Sequence, residues 1–346
     1  MRLGIDTFSL RWQGWDAFQF LEYAAGTGLE NVHFSERGNL ASLDEGYLRA
    51  LKHRADALGV TIELGMLSFD KHARLFNPAL GTGEQQLGDM ARAASMVGSP
   101  IVRCVLGSVE DRIGPVPWQE HLEECGRTLR AAAPVARDLG VRFAVENHGG
   151  VDLLARELRA LIEVAGPDVV GACLDTGNPA YGGEDPVLSA EILAPYVLST
   201  HVRDSRVWAV EDGALVQWVP VGQGHVDLGR VLAILAEHAP DAPVDLEIIA
   251  GLPPKHLAYL DPASDYWRLY PEMPAADFAR FLALVQRGQP GPLDQLMAPA
   301  GVRGQPGGDE GERLKAQQLR QFEESVRYCR EVFGLGDPDR LPGRDG

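Results

Sequence analysis

The chain has 346 residues, 45% of them hydrophobic, enough apolar material for one large core or two ordinary ones. With 49 acidic against 32 basic residues the formal charge is −17, which repels phosphate backbones and argues against nucleic acid and anionic membranes as partners. Cys104, Cys125, Cys173 and Cys329 form no C-x-x-C pair, no run approaches the roughly 18 apolar residues of a membrane span, and no signal segment precedes the first strand pattern, so a soluble, cytoplasmic protein with reduced thiols is expected.

Short β-like runs alternate with helical patterns, the mark of a parallel sheet. Leu3–Ser9 reads as a first strand and Trp15–Thr27 as its helix, followed by Glu30–Ser35 with Leu43–Leu58. Thr61–Met66 pairs with a helix over Gly83–Val97, and Ile101–Leu106 with Trp118–Leu139. Arg142–Glu146, Val169–Leu174 and Val197–Val202 follow, with helices over Leu153–Ala165, Pro186–Ala194 and Gly229–Ala239, before an eighth strand at Val244–Ile249. Eight such units make a (β/α)8 TIM barrel of the α/β class with an extra C-terminal segment. The first strand lacks the G-x-G-x-x-G of an open dinucleotide-binding sheet.

The expected organisation is a catalytic barrel over residues 1–285, a Pro/Gly-rich linker over 286–311, and a C-terminal helix and tail over 312–346. The helix, Glu312–Phe333, either caps the barrel bottom, the plainer reading, or docks on a second subunit. Gly251–Met273, rich in aromatic and charged residues, is either a lid over the mouth or a surface loop with a small aromatic cluster.

Barrels carry their reactive groups at the C-terminal ends of the strands. There the chain places Glu146, Asn147 and His148 (strand five), Asp175 and Asn178 (strand six), His201, Arg203 and Asp204 (strand seven) and Glu247 (strand eight). A lone carboxylate at a strand end is commonly a helix cap or a salt-bridge partner. Three beside a histidine on adjacent strands repel one another unless a cation joins them. Such a donor set suits one divalent metal, Mn2+, Mg2+ or Co2+. His148, two residues past Glu146, faces the same way if the strand continues, and an imidazole there suits acid–base work; otherwise it is a solvated loop histidine. Arg103 and Arg206 are candidates for a substrate carboxylate or for ordinary ion pairs. Glu36, Glu63 and His33 are candidates for hydroxyl contacts, His225 and Asp227 sit in a glycine-rich loop, and Trp12 and Trp15 either line the mouth or are buried.

The order Glu146, Asp175, His201, Glu247, with the motifs V-E-N-H, L-D-T-G-N, H-V-R-D, the run P-V-G-Q-G-H-V-D from Pro220 to Asp227, and L-E-I, resembles the xylose-isomerase-like TIM-barrel superfamily over residues 1 to about 285. The resemblance implies that these four residues hold the metal, Mn2+ foremost. The metal chelates a carbonyl and a neighbouring hydroxyl of a carbohydrate substrate and stabilises the enediolate left by deprotonation. Glu146 and Glu247 then double as acid–base groups, with His148 as a third catalytic residue and Asn178, Arg203, Arg103 and His225 as substrate contacts.

Two departures count against a ketose epimerase: Asn178 stands where the D-x-x-H pattern has histidine, and Arg203 where H-x-K-D has lysine. The E-N-H element looks more like branches acting on oxidised sugars, 3-keto-C-glycoside deglycosidases and 3-oxo-isoapionate decarboxylases. The expectation is therefore a metal-dependent lyase that cleaves a 3-keto-glycoside or decarboxylates a sugar acid. A sugar isomerase or epimerase is the alternative, and a non-catalytic sugar-binding barrel the further one. The resemblance also allows a small partner subunit, as in the deglycosidases, or a homo-oligomer.

Overall fold

A computed structural model describes residues 1–249, 251–291, 295–297 and 306–336. In chain order the strands are β1 (Leu3–Asp6), β2 (Asn31–Phe34), β3 (Thr61–Ser68), β4 (Ile101–Val105), β5 (Arg142–Glu146), β6 (Val170–Asp175), β7 (Val197–Val202), β8 (Asp204–Val210), β9 (Gly213–Val219), β10 (Val244–Leu246) and β11 (Lys255–Leu257). The helices are α1 (Ala17–Gly26), α2 (Glu45–Leu58), α3 (Gly83–Val97), α4 (Trp118–Leu139), α5 (Ala155–Ala165), α6 (Asn178–Gly182), α7 (Pro186–Leu193), α8 (Leu228–His238), α9 (Tyr266–Leu269), α10 (Ala275–Arg287) and α11 (Gly308–Phe333).

Strands β1 to β7 and β10 close a parallel eight-stranded barrel, with β10 pairing both β7 and β1. The (β/α)8 architecture is thus the one expected. Every residue of β1, β2, β4, β6 and β10 is buried, as strands sandwiched between a lumen and a helix layer require. The first strand stops at Asp6, earlier than expected, because its carboxylate accepts the Phe8 N–H and turns the chain into a 3-10 turn. Ser9 then sews the barrel seam: its hydroxyl donates to the Leu246 carbonyl (2.8 Å) and accepts from the Ile248 N–H (2.7 Å).

The stretch between β7 and α8 holds an unexpected antiparallel hairpin, β8–β9, and β11 joins it as a third strand. Helix α10 packs on β8. Tyr259, Tyr266, Tyr270 and Phe281 form a second core with Val207, Val216, Val151 and Tyr181. The aromatic segment after the eighth strand is therefore a packed layer beside the hairpin.

Helix α11 does not cap the barrel bottom, the plainer of its expected placements. It runs down the barrel flank, with Phe322 meeting Tyr23 of α1 (ring centroids 6.2 Å apart) and Phe333 beside Gly229 and Leu232 of α8. Gln318 accepts the Trp12 N–H (3.1 Å) at one end and Arg330 donates to the Thr27 carbonyl (2.7 Å) at the other. Phe322, Val326 and Cys329 belong to the barrel's own hydrophobic cluster, so the helix fills an outer-layer position beside β1 and β10. Residues 292–294 and 298–305 of the expected linker, and 337–346 of the tail, lie outside the described residues. Among the described residues no helix is long and apolar enough to cross a membrane.

Candidate metal and substrate site

Glu146 ends β5, Asp175 ends β6, His201 sits near the end of β7, and Glu247 follows β10. The ladders pair His201 with Asp175 on one side and, on the other, with Asp245, two residues before Glu247. One ligand atom from each of Glu146, Asp175, His201 and Glu247 lies within 4.8 Å of the other three, and all four side chains are buried.

His201 shows what the gap between them is suited to hold. Its Nε2 lies 3.2 Å from Asp6 Oδ2, while Nδ1 makes no hydrogen bond and lies 3.1 Å from Glu146 Oε2 and 3.8 Å from Glu247 Oε2. Nε2 also meets His33 Nδ1 at 3.4 Å. With the proton on the Nε2 side, toward His33 and the Asp6 carboxylate, the Nδ1 lone pair faces Glu146 and Glu247, a carboxylate-backed arrangement of the kind that orients metal-binding imidazoles. Asp6 lies inside the strand expected over Leu3–Ser9 and is brought to the strand end only because β1 stops there.

The charges are set by neighbours as well as burial. Burial pushes the Asp6 carboxyl up, yet His201 and His33 outweigh it and hold it at about 2. Burial also opposes ionisation of Glu146, but the Arg103 guanidinium and His201 keep it well below the usual range. Glu247 goes the other way: burial raises it to about 8 against the pull of Arg203 and His201. Burial disfavours the charged imidazole of His201, but Cys173, Glu146 and Asp6 raise it well above its ordinary value. Either a proton on Nδ1 or a cation can therefore settle the gap. Three carboxylates and one imidazole nitrogen fit a divalent ion.

Two buried arginines brace this set. Arg103 grips Glu146 with Nε and Nη2, while Nη1 donates to the Ser35 carbonyl (3.2 Å). Arg203 binds Asp175 through Nε (3.2 Å) and Nη2, and Nη2 lies 2.7 Å from Glu247 Oε2. Gly177 gives Arg203 its path, since a Cβ there would fall 2.5 Å from Arg203 Cγ. The rest of the L-D-T-G-N motif is equally accountable. Asp175 Oδ1 caps α6 by accepting the Gly177 and Asn178 N–H groups (2.7 and 2.6 Å), and the Thr176 hydroxyl donates to the Arg203 carbonyl (2.6 Å). Asn147 clamps β5 to β6 through both backbone groups of Asp175.

Asn178 reaches the cluster, its amide 3.4 Å from Glu146 Oε1. His148 is partly exposed; its ring Nδ1 meets the Gly107 carbonyl at 2.8 Å, which leaves Nε2 with a free lone pair. Burial lowers its pKa, with the Glu146 charge opposing, so the ring stays neutral near neutral pH.

His225 is not brought to this cluster. Its Nδ1 is engaged with the Val207 backbone (2.9 and 3.1 Å), and the loop around it is held by Asp204, whose carboxylate accepts from Gly222, Gly224 and Val226. The glycine-rich run that suggested a substrate contact is thus a hairpin anchor. Asp227 caps α8, Arg206 donates to the Gln223 carbonyl, and Trp12 is buried. Glu36 lines a separate groove beside the β2 and β3 loops. His33 and Glu63 lie deeper in the lumen with Asp245, His33 Nδ1 being 3.4 Å from Glu63 Oε2 and 3.6 Å from Asp245 Oδ2. Trp218 of β9, absent from the sequence reading because its hairpin was, packs its ring 4.2 Å from the Arg203 guanidinium.

Comparison with known proteins agrees with this architecture. The inosose dehydratase of Geobacillus kaustophilus is 33% identical over 79 residues, 22% of this chain and 26% of that one. The 3-oxo-isoapionate decarboxylase of Pectobacterium atrosepticum is 24% identical over 213 residues, 59% of this chain and 69% of that one. The chain spans between about a quarter and a half of the length of the inosose dehydratases it matches. Among solved structures, the IOLI protein with a binding zinc atom superposes with a TM-score of 0.57 at 16% identity, over 82% of this chain and 96% of that one, a likeness of fold. The model of the xylose isomerase-like TIM barrel family matches residues 18–267, and the chain belongs to that family.

Proposed function

We propose that the chain is a divalent-metal-dependent enzyme that acts on a keto-sugar or sugar acid as a lyase, by cleavage of a 3-keto-glycoside or by decarboxylation. The observation that carries the metal is His201 Nδ1, a buried nitrogen without a hydrogen bond in a group with three carboxylates, while the opposite ring nitrogen lies between His33 and Asp6. Glu146, Asp175, His201 and Glu247 would hold the ion, with Mn2+ as our first assignment in an oxygen-rich set that Mg2+ or Co2+ also suits. When bound, the ion supplies Lewis acidity that steadies negative charge on a substrate oxygen.

The remaining roles belong to the protein. Arg103 and Arg203 fix the carboxylates by ion pairs from behind. Asn178 donates toward Glu146 and stands where a substrate oxygen beside that carboxylate would meet it. His148, neutral and tied to Gly107 through Nδ1, moves a proton at Nε2. The relatedness to a decarboxylase and to dehydratases supports bond cleavage over epimerisation.

The test is NMR in D2O on the manganese-loaded chain with a panel of ketoses, 3-keto-sugars and sugar acids. Loss of an aglycone or of CO2 is the expected result. Deuterium entering beside the carbonyl without cleavage would replace the lyase by an epimerase, and a chain that retains no metal would overturn the proposal.

A further inference from the structure

Arg203 uses only one edge of its guanidinium on the metal-site carboxylates. Nε and Nη2 face Asp175 and Glu247, whereas Nη1, fully buried, has no hydrogen-bond partner among the described residues. The indole Nε1 of Trp218 is also fully buried and unpartnered. The two donors belong to one stack: Trp218 packs 4.2 Å from the guanidinium and 4.1 Å from the Tyr181 ring, and its backbone N–H donates to the Tyr181 hydroxyl (3.2 Å). A buried donor without a partner is costly, more so when charged, so a clamped pair of them marks a place that a ligand group fills.

We propose that the free Nη1 edge of Arg203 and the indole N–H of Trp218 form a subsite for a substrate carboxylate, so that the enzyme takes sugar acids in preference to neutral ketoses. This rests on the metal-enzyme reading above and narrows its substrate class. A carboxylate offers one oxygen to each donor, and its single negative charge is the smallest anionic load beside Asp175 and Glu247. A phosphate dianion would bring a second negative charge beside Asp175 and Glu247 that one free edge does not offset. Two more cations border the region in this strongly acidic chain. Arg11 is held against the Phe8 carbonyl (3.1 Å); burial lowers it to about 10, and the Glu247 and Arg203 charges act on it in opposite senses. Lys255 is bound to the Gly150 carbonyl and lies 5.8 Å from the Tyr181 ring.

The experiment compares 2-keto-gluconate with D-fructose on the full manganese-loaded chain. Both carry a C2 ketone, and they differ at C1 in carboxylate against hydroxymethyl. Affinity is read from water-proton relaxation of the bound ion, and metal content is measured alongside. The wild type should bind the keto acid at least about ten-fold more tightly than the ketose. Trp218→Phe, which keeps a ring over Arg203 and removes the N–H, should weaken the keto acid about 5- to 30-fold while fructose affinity and metal content stay unchanged. Trp218→His, which restores a ring N–H, should recover part of the loss and guards against a folding defect in the first variant. Unchanged keto-acid affinity in Trp218→Phe, an equal loss for both ligands, or a metal-loaded wild type that binds neither would overturn the subsite and leave the metal reading standing. A wild type that holds no metal would overturn both.

Discussion

Two clusters of buried charge lie one layer apart in the barrel lumen, and they neutralise themselves in different ways. The lower one joins Glu63, Asp245 and His33 with neutral donors: Asn31 gives both amide hydrogens to Asp245 (2.9 and 2.8 Å), and the Ser199 hydroxyl donates to Glu63. Burial and the nearby Asp245 raise Glu63 to about 8, so at neutral pH this cluster shares a proton. It is also closely packed, since a Cβ on Gly4 would come within 1.9 Å of Asp245 Oδ1. The upper cluster has two arginines instead, and it keeps an imidazole nitrogen and two N–H donors without partners. Each cluster keeps one imidazole nitrogen without a hydrogen bond, His33 Nε2 below and His201 Nδ1 above. The upper one adds two unpartnered N–H donors, and a cluster that keeps fixed donors unsatisfied is arranged for something that arrives later.

Substitutions can sharpen or erase that contrast. The largest effect is expected from Glu146→Gln or Glu247→Gln, which should lower turnover by about a thousand-fold in the proton-exchange assay. Full activity in either would show that the upper cluster is no more functional than the lower. Asp6→Asn leaves the four ligands in place but removes the carboxylate behind His201. It should weaken metal binding about 10- to 100-fold in a competitive titration, and an unchanged affinity would deny Asp6 its orienting role.

Acidity offers a third test. Because Glu247 is raised to about 8, a metal has to displace its proton throughout the neutral range. Apparent affinity should therefore rise with pH up to about 8 and level off above it; a flat profile from pH 6 to 8 would remove Glu247 from the set. Glu63→Gln should do least. It mimics the protonated acid already present and should change stability by less than about 1 kcal/mol in chemical denaturation, with metal content intact. Metal loss in that variant would abolish the division between the two clusters.

Much of this was legible in the sequence because parallel strands buried on both sides write themselves as apolar runs, and the residue that ends each run marks the barrel mouth. Glu146, Asp175, His201 and Glu247 were found that way, and the structure brings them together. Arg203 stood out as a strand-end residue, an expected substrate contact and a departure from a motif; that it lies over Gly177 and under Trp218 depends on contacts between separate strands. The hairpin was missed although E-D-G separates two apolar runs, because the run of glycines after it suggested a loop near the pocket. His225 was placed at the site for the same reason. Asp6 was overlooked because β1 ends in a turn that extends the apolar pattern to Leu10. Nothing in the amphipathic pattern of α11 told which surface its apolar face would meet.

That last helix has a consequence for how the molecule is made. The flank beside β1 and β10 is covered by residues at the far end of the chain, after the hairpin layer and α10 have been synthesised. On the ribosome the sheet can close while an apolar stripe beside α1 is still bare, and the stripe is covered only when Phe322, Val326 and Cys329 emerge and dock. Truncation before α11 would leave that stripe bare to chaperones and proteases, so the helix is a condition for the flank's being closed to them.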